Sequence, residues 1–411
     1  MPIRHLLGRP GRTAYSRMRS RAWGWAAGWG AAVAVQLHLA VIAPGQALLP
    51  MDDANMTIAA LLSDLAAVQT DDQRKWGYKQ AASAIRALDQ PVEALVKPDG
   101  TLARIPRIGP ASTRVILEVL DAGTSATVER AVAASARAAE VARRRQWRSR
   151  FLSRARVRAI LDDPAMSGPR RTDYRGDLQM HSTWSDGSQT LDDIVATGIA
   201  LGYEYSAVTD HSAGLRIAGG VSPERFAVQR QEIAQLNRDH APQFRLLQGV
   251  EANIRADGEV DVPLEERLEF DIVVAAPHSG LRLAAEQTDR MLAAVTTRGV
   301  HILGHPRGRM YGSRPGISAD WPRVFTAAAA SGVAVEIDGD PSRQDLDFEL
   351  ARAALAAGCL LALDSDAHGV DQWSYVDTAL AHARLAGIPA ERIVNCWPLD
   401  RLRAWAAARW S

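Results

Sequence analysis

Seven short apolar runs between residues 177 and 368 constrain the fold more than any other feature of this sequence, because each ends in a histidine or an acidic residue. The runs are 177–181, 205–211, 245–251, 271–278, 301–305, 333–338 and 360–368. Segments with helical periodicity, such as PERFAVQRQEIAQLNRD, separate them. Strands that alternate with helices predict an α/β fold with a parallel sheet. We expect the sheet to close into a barrel, because the strand ends then meet on one face.

Histidines and acidic residues, the side-chain types that divalent metal ions prefer, are concentrated at these strand ends. They are His181, His211, His278, His305 and His368, together with Asp186, Asp210, Glu251 and Asp366. A single histidine at a strand end is usually a hydrogen-bonding residue. So many polar groups on one face of a barrel would be costly to bury without cations to pair with them. The pattern therefore predicts a metal centre built from imidazole and carboxylate ligands.

A ligand set without thiolates suits manganese, zinc or iron rather than magnesium or calcium alone. The Glu251 carboxylate has two oxygens, and so it can bridge two ions. Neighbouring divalent ions polarise a phosphoryl group and generate hydroxide near neutral pH. No nucleophile-elbow, Walker or dinucleotide-binding motif competes with this interpretation. The sequence thus favours hydrolysis of a phosphoester.

The motifs DLQMHS…SDG, TDH, GVE, PHSG, GHP and SDAH occur in this order from residue 177 to residue 368. The ordered set resembles the PHP (polymerase and histidinol phosphatase) superfamily over roughly residues 176–400. This resemblance implies a distorted seven-stranded β/α barrel that binds up to three divalent ions, whether manganese, zinc or iron. It implies three groups of ligands: Gln179, His181, Glu251 and Asp366; Glu251, His278 and His305; and Asp186, His211 and His368.

Position 179 departs from the family pattern, which has a histidine two residues before His181. Gln179 has a neutral amide oxygen, which binds a metal ion more weakly than imidazole does. Two interpretations stay open: the amide oxygen is a weak ligand, or it only hydrogen-bonds a bound water. On either interpretation, the ion shared by His181 and Asp366 is bound less tightly than the other two.

Two further stretches, HPRGRMYGSRPG (305–316) and VEIDGDPSRQDLD (335–347), resemble the PHP domain of bacterial family X DNA polymerases. That resemblance implies manganese-dependent 3′–5′ exonuclease activity or processing of DNA 3′ ends. Arg309 and Arg314 match arginines of the pattern, and a planar, permanently charged guanidinium is suited to clamp a phosphodiester. The alternative is that both are ordinary arginines of a surface loop.

Helical periodicity dominates residues 51–131, and it predicts a small all-α domain ahead of the barrel. We expect helices over 57–69 and 75–88. A helix, a tight turn and a second helix are expected over 101–123, with Gly123 as the helix stop.

This region resembles the helix-hairpin-helix domain that opens family X polymerases. In that domain a Gly-x-Gly turn at a helix start binds DNA phosphate through backbone N–H groups. Arg107 and Gly109 occupy the turn here, so the resemblance implies DNA binding at these two residues, with arginine in place of the first glycine. Val115 stands where the lyase lysine of the family would be.

Residues 132–176 predict one long basic helix over 132–161, followed by a linker. Nine arginines lie between residues 137 and 158. Two interpretations are open: a solvated connecting helix, or a contact with the DNA backbone. The stretch has no paired-aspartate motif for nucleotidyl transfer, so we expect no polymerase activity. The metal-binding domain is predicted over 177–411.

Residues 1–50 are excluded from the fold prediction. Residues 1–21 contain six arginines and no acidic residue, and residues 22–51 contain no charged residue. This pattern is typical of a signal peptide or a membrane span, and the alternative is an over-extended start with Met51 as the true first residue. The two cysteines form no disulfide framework, so we expect a cytoplasmic protein without membrane contact unless residues 1–50 are translated.

Three functions are compatible with these patterns. The leading hypothesis is a metal-dependent phosphoesterase acting on DNA ends, which the helical region and the arginine run favour. The second is a phosphatase for a small phosphomonoester such as histidinol phosphate, which the loss of a glycine at Arg107 favours. The third is a non-catalytic nucleic-acid-binding protein. The net charge of +1 does not separate them.

Overall fold

The computed structural model describes residues 53–410 of the chain. The segment at residues 1–50 lies outside this range, and its role as a leader, a membrane span or an over-extended start stays a prediction. Among the helices between residues 53 and 410, none combines the length and the apolar character needed to cross a bilayer.

Six helices form the N-terminal part of the described chain. They are α1 (Ala54–Val68), α2 (Asp72–Arg86), α3 (Pro110–Ala122), α4 (Ala126–Ala133), α5 (Ala138–Trp147) and α6 (Arg154–Asp162). The aspartates Asp53 and Asp71 cap α1 and α2 by accepting backbone N–H groups of the first turn. Apolar side chains of α1 to α5 meet in a hydrophobic core that includes Ile58, Leu62, Ile85, Val115 and Ile116.

The first helix of the helix–turn–helix expected over 101–123 is not formed. Leu102 makes an antiparallel bridge with Val96 instead. The proline at position 106 explains the difference, because the residue before a proline avoids helical dihedral angles and proline itself has no N–H to donate. Helix formation starts only at Pro110, the first residue of α3, where a missing N–H costs nothing.

The single helix predicted over 132–161 is also wrong, because the structure divides this stretch among α4, α5 and α6. Arg150 lies between α5 and α6 with a φ of 63°, a left-handed conformation that ends a helix. Phe151 follows it and is only 4% exposed. Its ring meets the Tyr311 ring of the barrel edge to face at 5.2 Å. The break therefore lets an aromatic side chain turn into the barrel.

Several arginines of the basic stretch bind acidic side chains within the helical region. Arg145 Nε lies 2.6 Å from the Asp64 carboxylate, and buried Arg148 binds the same carboxylate. Arg144 pairs with Glu140 at 2.6 Å. For these residues neither earlier interpretation is sufficient, because Arg145 and Arg148 hold the end of α5 against α1.

Six parallel strands form the sheet, ordered as in the sequence. They are β1 (Tyr205–Val208), β2 (Arg245–Asn253), β3 (Ile272–Ala276), β4 (Ile302–Leu303), β5 (Ala334–Asp338) and β6 (Leu360–Asp364). Every neighbouring pair is parallel, as the alternation of strands and helices predicted. The strands are buried on both faces, which explains their nearly continuous runs of Val, Ile, Leu and Ala.

The expectation of seven strands is wrong by one, because residues 177–181 do not form a regular strand. This segment nevertheless lies between β1 and β6 and hydrogen-bonds to both sides. The Thr209 N–H donates to Met180 O and the His181 N–H donates to Ala367 O, each at 2.8 Å. The sheet is therefore curled into a distorted barrel that this segment completes.

Side chains interrupt the regular pairing of the segment. The Leu178 N–H donates to the Asp364 carboxylate at 2.8 Å, and the Met180 N–H donates to the Thr209 hydroxyl at 3.2 Å. Backbone donors that bind side-chain oxygens cannot bind the carbonyls of a neighbouring strand. The polar composition of this edge thus prevents a seventh strand while keeping its backbone groups satisfied.

Eight further helices lie in the described chain after residues 177–181. They are α7 (Leu191–Ala200), α8 (Pro223–Asp239), α9 (Leu264–Arg267), α10 (Thr288–Thr296), α11 (Trp321–Ser331), α12 (Phe348–Ala356), α13 (Val376–Ala386) and α14 (Leu399–Ala408). Tyr205, Leu247 and Ile272, from the starts of β1 to β3, pack with Trp397 and with Leu402 of α14. The lower half of the barrel is therefore a closed apolar core.

Gln344 joins the helical region to the barrel. Its side-chain amide accepts from the Leu152 N–H at 2.8 Å and donates to Leu152 O at 2.9 Å. His382 of α13 holds the same amide, because its Nε2 lies 2.9 Å from Gln344 Oε1. The His382 Nδ1 accepts the Phe348 N–H at 3.1 Å, so the ring is held in its neutral form.

Burial lowers the pKa of His382 to about 3, with a smaller contribution from Arg309 and an opposing one from Asp347. The unfolded chain therefore binds a proton below about pH 6.5 that the folded protein does not bind. Stability should fall as the pH drops below 6.5, by up to ~1.4 kcal/mol per pH unit from this group.

The change His382→Gln removes this titration and keeps an amide that can donate and accept. We expect the free energy of unfolding, measured by urea titration between pH 7.5 and pH 5, to fall less steeply in the variant than in the unsubstituted protein. His240→Gln, at a partly exposed position after α8, serves as the control and should leave the slope unchanged. Equal slopes in H382Q and the unsubstituted protein would contradict the assignment.

Candidate metal centre

The carboxyl ends of the strands bring most of the predicted ligands together. His211 follows β1, Glu251 lies in β2, His278 follows β3, His305 follows β4, and Asp366 and His368 follow β6. His181 and Asp186 come from the segment that completes the barrel. Parallel strands end on one face, and this arrangement explains how residues so distant in sequence become neighbours.

Glu251 lies at the centre of the group and is 1% exposed. One of its carboxylate oxygens, Oε1, is 2.9 Å from His305 Nε2 and 3.0 Å from His278 Nε2. The other, Oε2, is 3.2 Å from His181 Nε2 and 3.4 Å from His211 Nδ1. One carboxylate therefore faces four imidazoles.

Two further carboxylates complete the cluster. Asp366 Oδ1 lies 3.0 Å from His181 Nε2. Asp186 Oδ1 lies 3.5 Å from His211 Nε2 and 3.6 Å from His368 Nε2. Asp186 is partly exposed, so this side of the cluster opens to solvent.

Among residues 53–410, three groups could hold a metal ion. They are His181, Glu251 and Asp366; His211, Glu251 and His278; and His181, Asp186, His211 and His368. Each resembles one group expected from the sequence, although His181 and His211 are shared between two groups and His305 reaches the cluster through Glu251. The ligand roles of the individual residues stay predictions.

The electrostatics of the cluster favour bound positive charge. Burial opposes a charged Glu251, but His211 and His278 outweigh it and hold the pKa of Glu251 well below its usual range. Burial also opposes a charged His181, but the carboxylates of Asp366 and Glu251 beside its imidazole outweigh it and raise the pKa of His181 well above the ordinary value. Two ionised carboxylates that stabilise a proton on an imidazole would equally stabilise a cation.

Buried donor atoms in the cluster fit such cations. Within residues 53–410 the following have no hydrogen-bond partner: both amide atoms of Gln179, Nδ1 of His181, His211 and His305, and Oε2 of Glu251. Unpartnered buried polar atoms are uncommon in folded proteins, and imidazole nitrogens and carboxylate oxygens are ligands for divalent metals. The residues present therefore fit a centre of divalent ions.

Gln179 is 0% exposed and lies beside β4, where a Cβ built on Gly304 would be 3.2 Å from Gln179 Oε1. A side chain at position 304 would thus crowd the amide. Gln179 is placed inside the barrel with a free amide, as expected of a residue that serves the centre. The geometry is compatible with either role considered for it, weak ligand or partner of a bound water.

Asp210 has a supporting role that sequence reasoning did not assign. Its carboxylate accepts from the Ser182 N–H at 2.9 Å, the Ser182 hydroxyl at 2.6 Å and the Gln229 amide at 2.6 Å. It thereby anchors the loop between His181 and Asp186. The loop is tight, since a Cβ at Gly187 would lie 2.3 Å from His181 O. Asp210 is the middle residue of the TDH motif, which was the sequence feature that could have indicated this role.

Arg309 does not reach the cluster. It is 2% exposed, and its guanidinium donates to Gln344 O at 2.6 Å and Arg343 O at 3.0 Å. It also lies 4.1 Å from the Phe151 ring centroid. These contacts are those of a structural arginine that holds two loops and the helical region together. The prediction of a phosphodiester clamp at Arg309 is therefore corrected: the side chain is already bound to backbone carbonyls.

Arg343 is the functional candidate that the sequence analysis missed. Its guanidinium binds the Asp366 carboxylate and lies 3.5 Å from Asp338 Oδ2. It belongs to the stretch 335–347, whose resemblance to the family was the available signal. Arg314 is partly buried and donates to Gly308 O at 2.6 Å. Burial, and then the positive charges of Arg343 and Arg282, lower the pKa of Arg314, and Arg282 donates to the carbonyl of Ser313, the residue before Arg314, at 2.5 Å.

The predicted DNA-binding turn lies outside the cluster, before α3. Arg107 is exposed and has a φ of 68°, a conformation that glycine adopts without strain. Gly109 is the residue that precedes the first turn of α3, and no atom lies within 4 Å of a Cβ built there. The turn thus keeps a left-handed residue at position 107 although glycine has been replaced.

Comparison with known proteins gives partial matches of different extent. No protein-family model matches the chain. DNA polymerase/3′-5′ exonuclease PolX of Bacillus subtilis (strain 168) is 34% identical over 232 residues, which cover 56% of this chain and 40% of PolX. The probable phosphatase YcdX of Escherichia coli (strain K12) is 30% identical over 240 residues, which cover 55% of this chain and 91% of YcdX. The chain therefore spans less than half of PolX and nearly all of YcdX.

A solved structure gives a weaker match. Histidinol phosphate phosphatase (HisK) from Lactococcus lactis subsp. lactis Il1403, complexed with zinc, L-histidinol and phosphate, has a TM-score of 0.40 and 20% identity. The match covers 52% of this chain and 94% of that one. A TM-score of this size does not by itself identify a fold.

Gln179→His tests the role of the buried amide. If Gln179 is a weak ligand, imidazole should bind the adjacent ion more tightly, on the scale of tenfold to a hundredfold by which residues around a metal alter its affinity. Isothermal titration with Mn²⁺ or Zn²⁺ measures the affinity and the stoichiometry. Gln179→Leu is the matched control, because it keeps the volume, removes the oxygen and should weaken the same site. Affinities unchanged in both variants would place position 179 outside the ligand set.

Proposed function

Because the chain belongs to the PHP superfamily of metal-dependent phosphoester hydrolases, we propose that it cleaves phosphodiester bonds at DNA ends, as a 3′–5′ exonuclease or in 3′-end processing, without polymerase activity. The observation that carries this proposal is the placement of Arg343 on Asp366, with Arg314 and Arg282 nearby. Such a group of arginines beside a metal centre suits a chain of phosphates better than a single one. The identity with PolX, whose name includes 3′-5′ exonuclease, is a second support.

The centre is proposed to hold up to three divalent ions, whether manganese, zinc or iron. Their ligands would be Gln179, His181, Asp186, His211, Glu251, His278, His305, Asp366 and His368. When bound, such ions polarise the phosphoryl oxygens and supply hydroxide near neutral pH. Glu251 lies between the groups and would tie two of them together.

The chain's own residues orient the substrate. Arg343 reaches the cluster through Asp366, and its planar guanidinium would bind the non-bridging oxygens of the scissile phosphate. Arg314 is anchored on Gly308 O and would bind the same phosphate or the next one. Asp210 fixes the loop that carries His181 and Asp186, and so it would hold these ligands in position when substrate binds.

The helical region would contribute DNA contacts away from the centre. Arg107 is exposed beside the start of α3, and Gly109 leaves that helix end open to an approaching phosphate. Pro110 removes one N–H from the turn, so the arginine side chain would supply the contact that the backbone lacks. We also propose a cytoplasmic location, which the two free cysteines support.

A phosphatase acting on a small phosphomonoester is the second candidate. The match that favours it is YcdX, a probable phosphatase of which this chain spans 91%. The metal chemistry would be the same, and only the substrate would differ.

His211→Ala tests the metal assignment. His211 is buried, its Nδ1 has no hydrogen-bond partner among residues 53–410, and it belongs to two of the three groups. Loss of a ligand that stabilises the transition state by several kcal/mol should reduce kcat by on the order of 10³-fold. The thermal unfolding midpoint should change little, and His240→Ala serves as the control. Full activity of His211→Ala would refute the assignment.

A substrate panel in Mn²⁺ tests the substrate class. The panel contains single-stranded DNA, nicked duplex, duplex with a 3′-phosphate and the phosphomonoesters histidinol phosphate and p-nitrophenyl phosphate. We expect kcat/KM to be highest for a DNA end. A preference for histidinol phosphate would favour the second candidate. Purified protein with no bound Mn, Zn or Fe and no hydrolysis of any substrate would indicate a non-catalytic nucleic-acid-binding protein.

A further inference from the structure

A cavity of about 340 Å³ lies between the helical region and the barrel. Its walls include Arg86 from α2, Arg154 and Arg158 from α6, Pro341 after β5 and Tyr375 before α13. The volume is within the range of small-molecule sites, ~300–1000 Å³. The mechanism proposed above uses none of these side chains.

The three arginines of the cavity outnumber the carboxylates that bind them, because Asp377, the acidic residue in its walls, binds Arg171 outside the cavity. Arg154 and Arg158 share a single carboxylate, that of Asp89, at 2.7 and 3.3 Å. Arg86 lies on the Tyr311 ring, 4.1 Å from its centroid, and its Nε is buried without a hydrogen-bond partner among residues 53–410. Burial lowers the pKa of Arg86, which indicates a charge that is incompletely solvated. An anion in the cavity would relieve this deficit.

The start of α6 adds to the positive potential. Leu152 and Arg154 both line the cavity, and they lie on either side of Ser153, the residue that caps α6. The first turn of a helix carries partial positive charge on its free N–H groups. Together with the three arginines this gives the cavity one positively charged side, while Ala87, Val157 and Pro341 make other parts of its walls apolar.

The cavity lies on the same face of the barrel as the metal centre. Pro341 forms part of its wall, and Arg343, two residues later, binds Asp366. Asp340 lies 3.9 Å from Arg343 Nε, and its negative charge also raises the pKa of Arg86. One loop, residues 338–344, therefore connects the cavity to the cluster.

We propose that this cavity holds the nucleotide that adjoins the scissile phosphodiester, with its phosphate on Arg86, Arg154 and Arg158 and its base or sugar against Tyr375. The inference rests on the proposed action on DNA ends and names the part of the chain that recognises the strand. A nucleotide strand fits these walls because it repeats phosphate and aromatic ring, and arginine with tyrosine binds both. A small phosphomonoester would leave the cavity unused.

The test is binding of a fluorescein-labelled single-stranded oligonucleotide in EDTA, followed by fluorescence anisotropy at several salt concentrations. Arg154→Ala/Arg158→Ala removes two phosphate contacts from side chains that are 55% and 54% exposed, so folding should be retained. The slope of log Kd against log salt should fall by about 1.4, and Kd at 0.1 M salt should rise by on the order of tenfold. Arg154→Lys/Arg158→Lys keeps both charges and should keep most of the slope.

Arg230→Ala/Arg238→Ala on α8 is the charge-matched control, since it also removes two arginines that line no part of the cavity. Its slope should equal that of the unsubstituted protein. A slope and Kd for Arg154→Ala/Arg158→Ala that equal those of this control would overturn the proposal.

Binding in EDTA requires no hydrolysis, so the two proposals fail separately. If strand binding depends on Arg154 and Arg158 but no DNA is hydrolysed, the proposed function is contradicted and the cavity is supported as a site that binds a DNA strand. Hydrolysis of DNA ends with strand binding that is independent of both arginines would support the function and overturn the cavity assignment.

Discussion

The carboxylate of Glu251 is the charge around which the functional face of the barrel is arranged. It is buried and faces His181, His211, His278 and His305 at 2.9 to 3.4 Å. An isolated carboxylate in such a place would be too costly to bury. The imidazoles compensate for that cost, and divalent ions would do so more strongly. The four strands β1 to β4 and the segment 177–181, which deliver these groups, must therefore bring them to one face, and this requires a curled sheet.

A second layer of acids lies beneath this centre and is held by backbone donors. Burial raises the pKa of Asp364 to about 6, and it raises that of Glu336 well above its usual range. Asp364 accepts the Leu178 N–H, and Glu336 accepts the N–H of His305. The carboxylates thereby fix the backbone just below the ligands. Below them the barrel is apolar, with α14 against the starts of the strands.

The helical region is attached to the same face by specific side chains. Gln344 binds Leu152, Arg309 lies over Phe151, and Arg86 lies over Tyr311. Arg309, the expected phosphate clamp, is used for this attachment. The arginines that remain nearer to the centre are Arg343 and Arg314. The region thus forms a wall of the proposed substrate path rather than a separate unit joined by a linker.

The parallel strands and their polar ends could be predicted from the sequence. A strand that is buried on both faces has a continuous run of apolar residues, and such a run is visible in the local sequence. The ligand candidates followed, since each stands at the end of a run. Tertiary structure decided the rest: that residues 177–181 bind side chains of Thr209 and Asp364 instead of forming a strand, that the basic stretch breaks at Arg150 so that Phe151 packs on the barrel, and that Arg343 rather than Arg309 reaches Asp366. The physical reason is that guanidinium, hydroxyl and carboxylate groups bind whichever partner the fold brings within about 3 Å, and local sequence does not specify that partner.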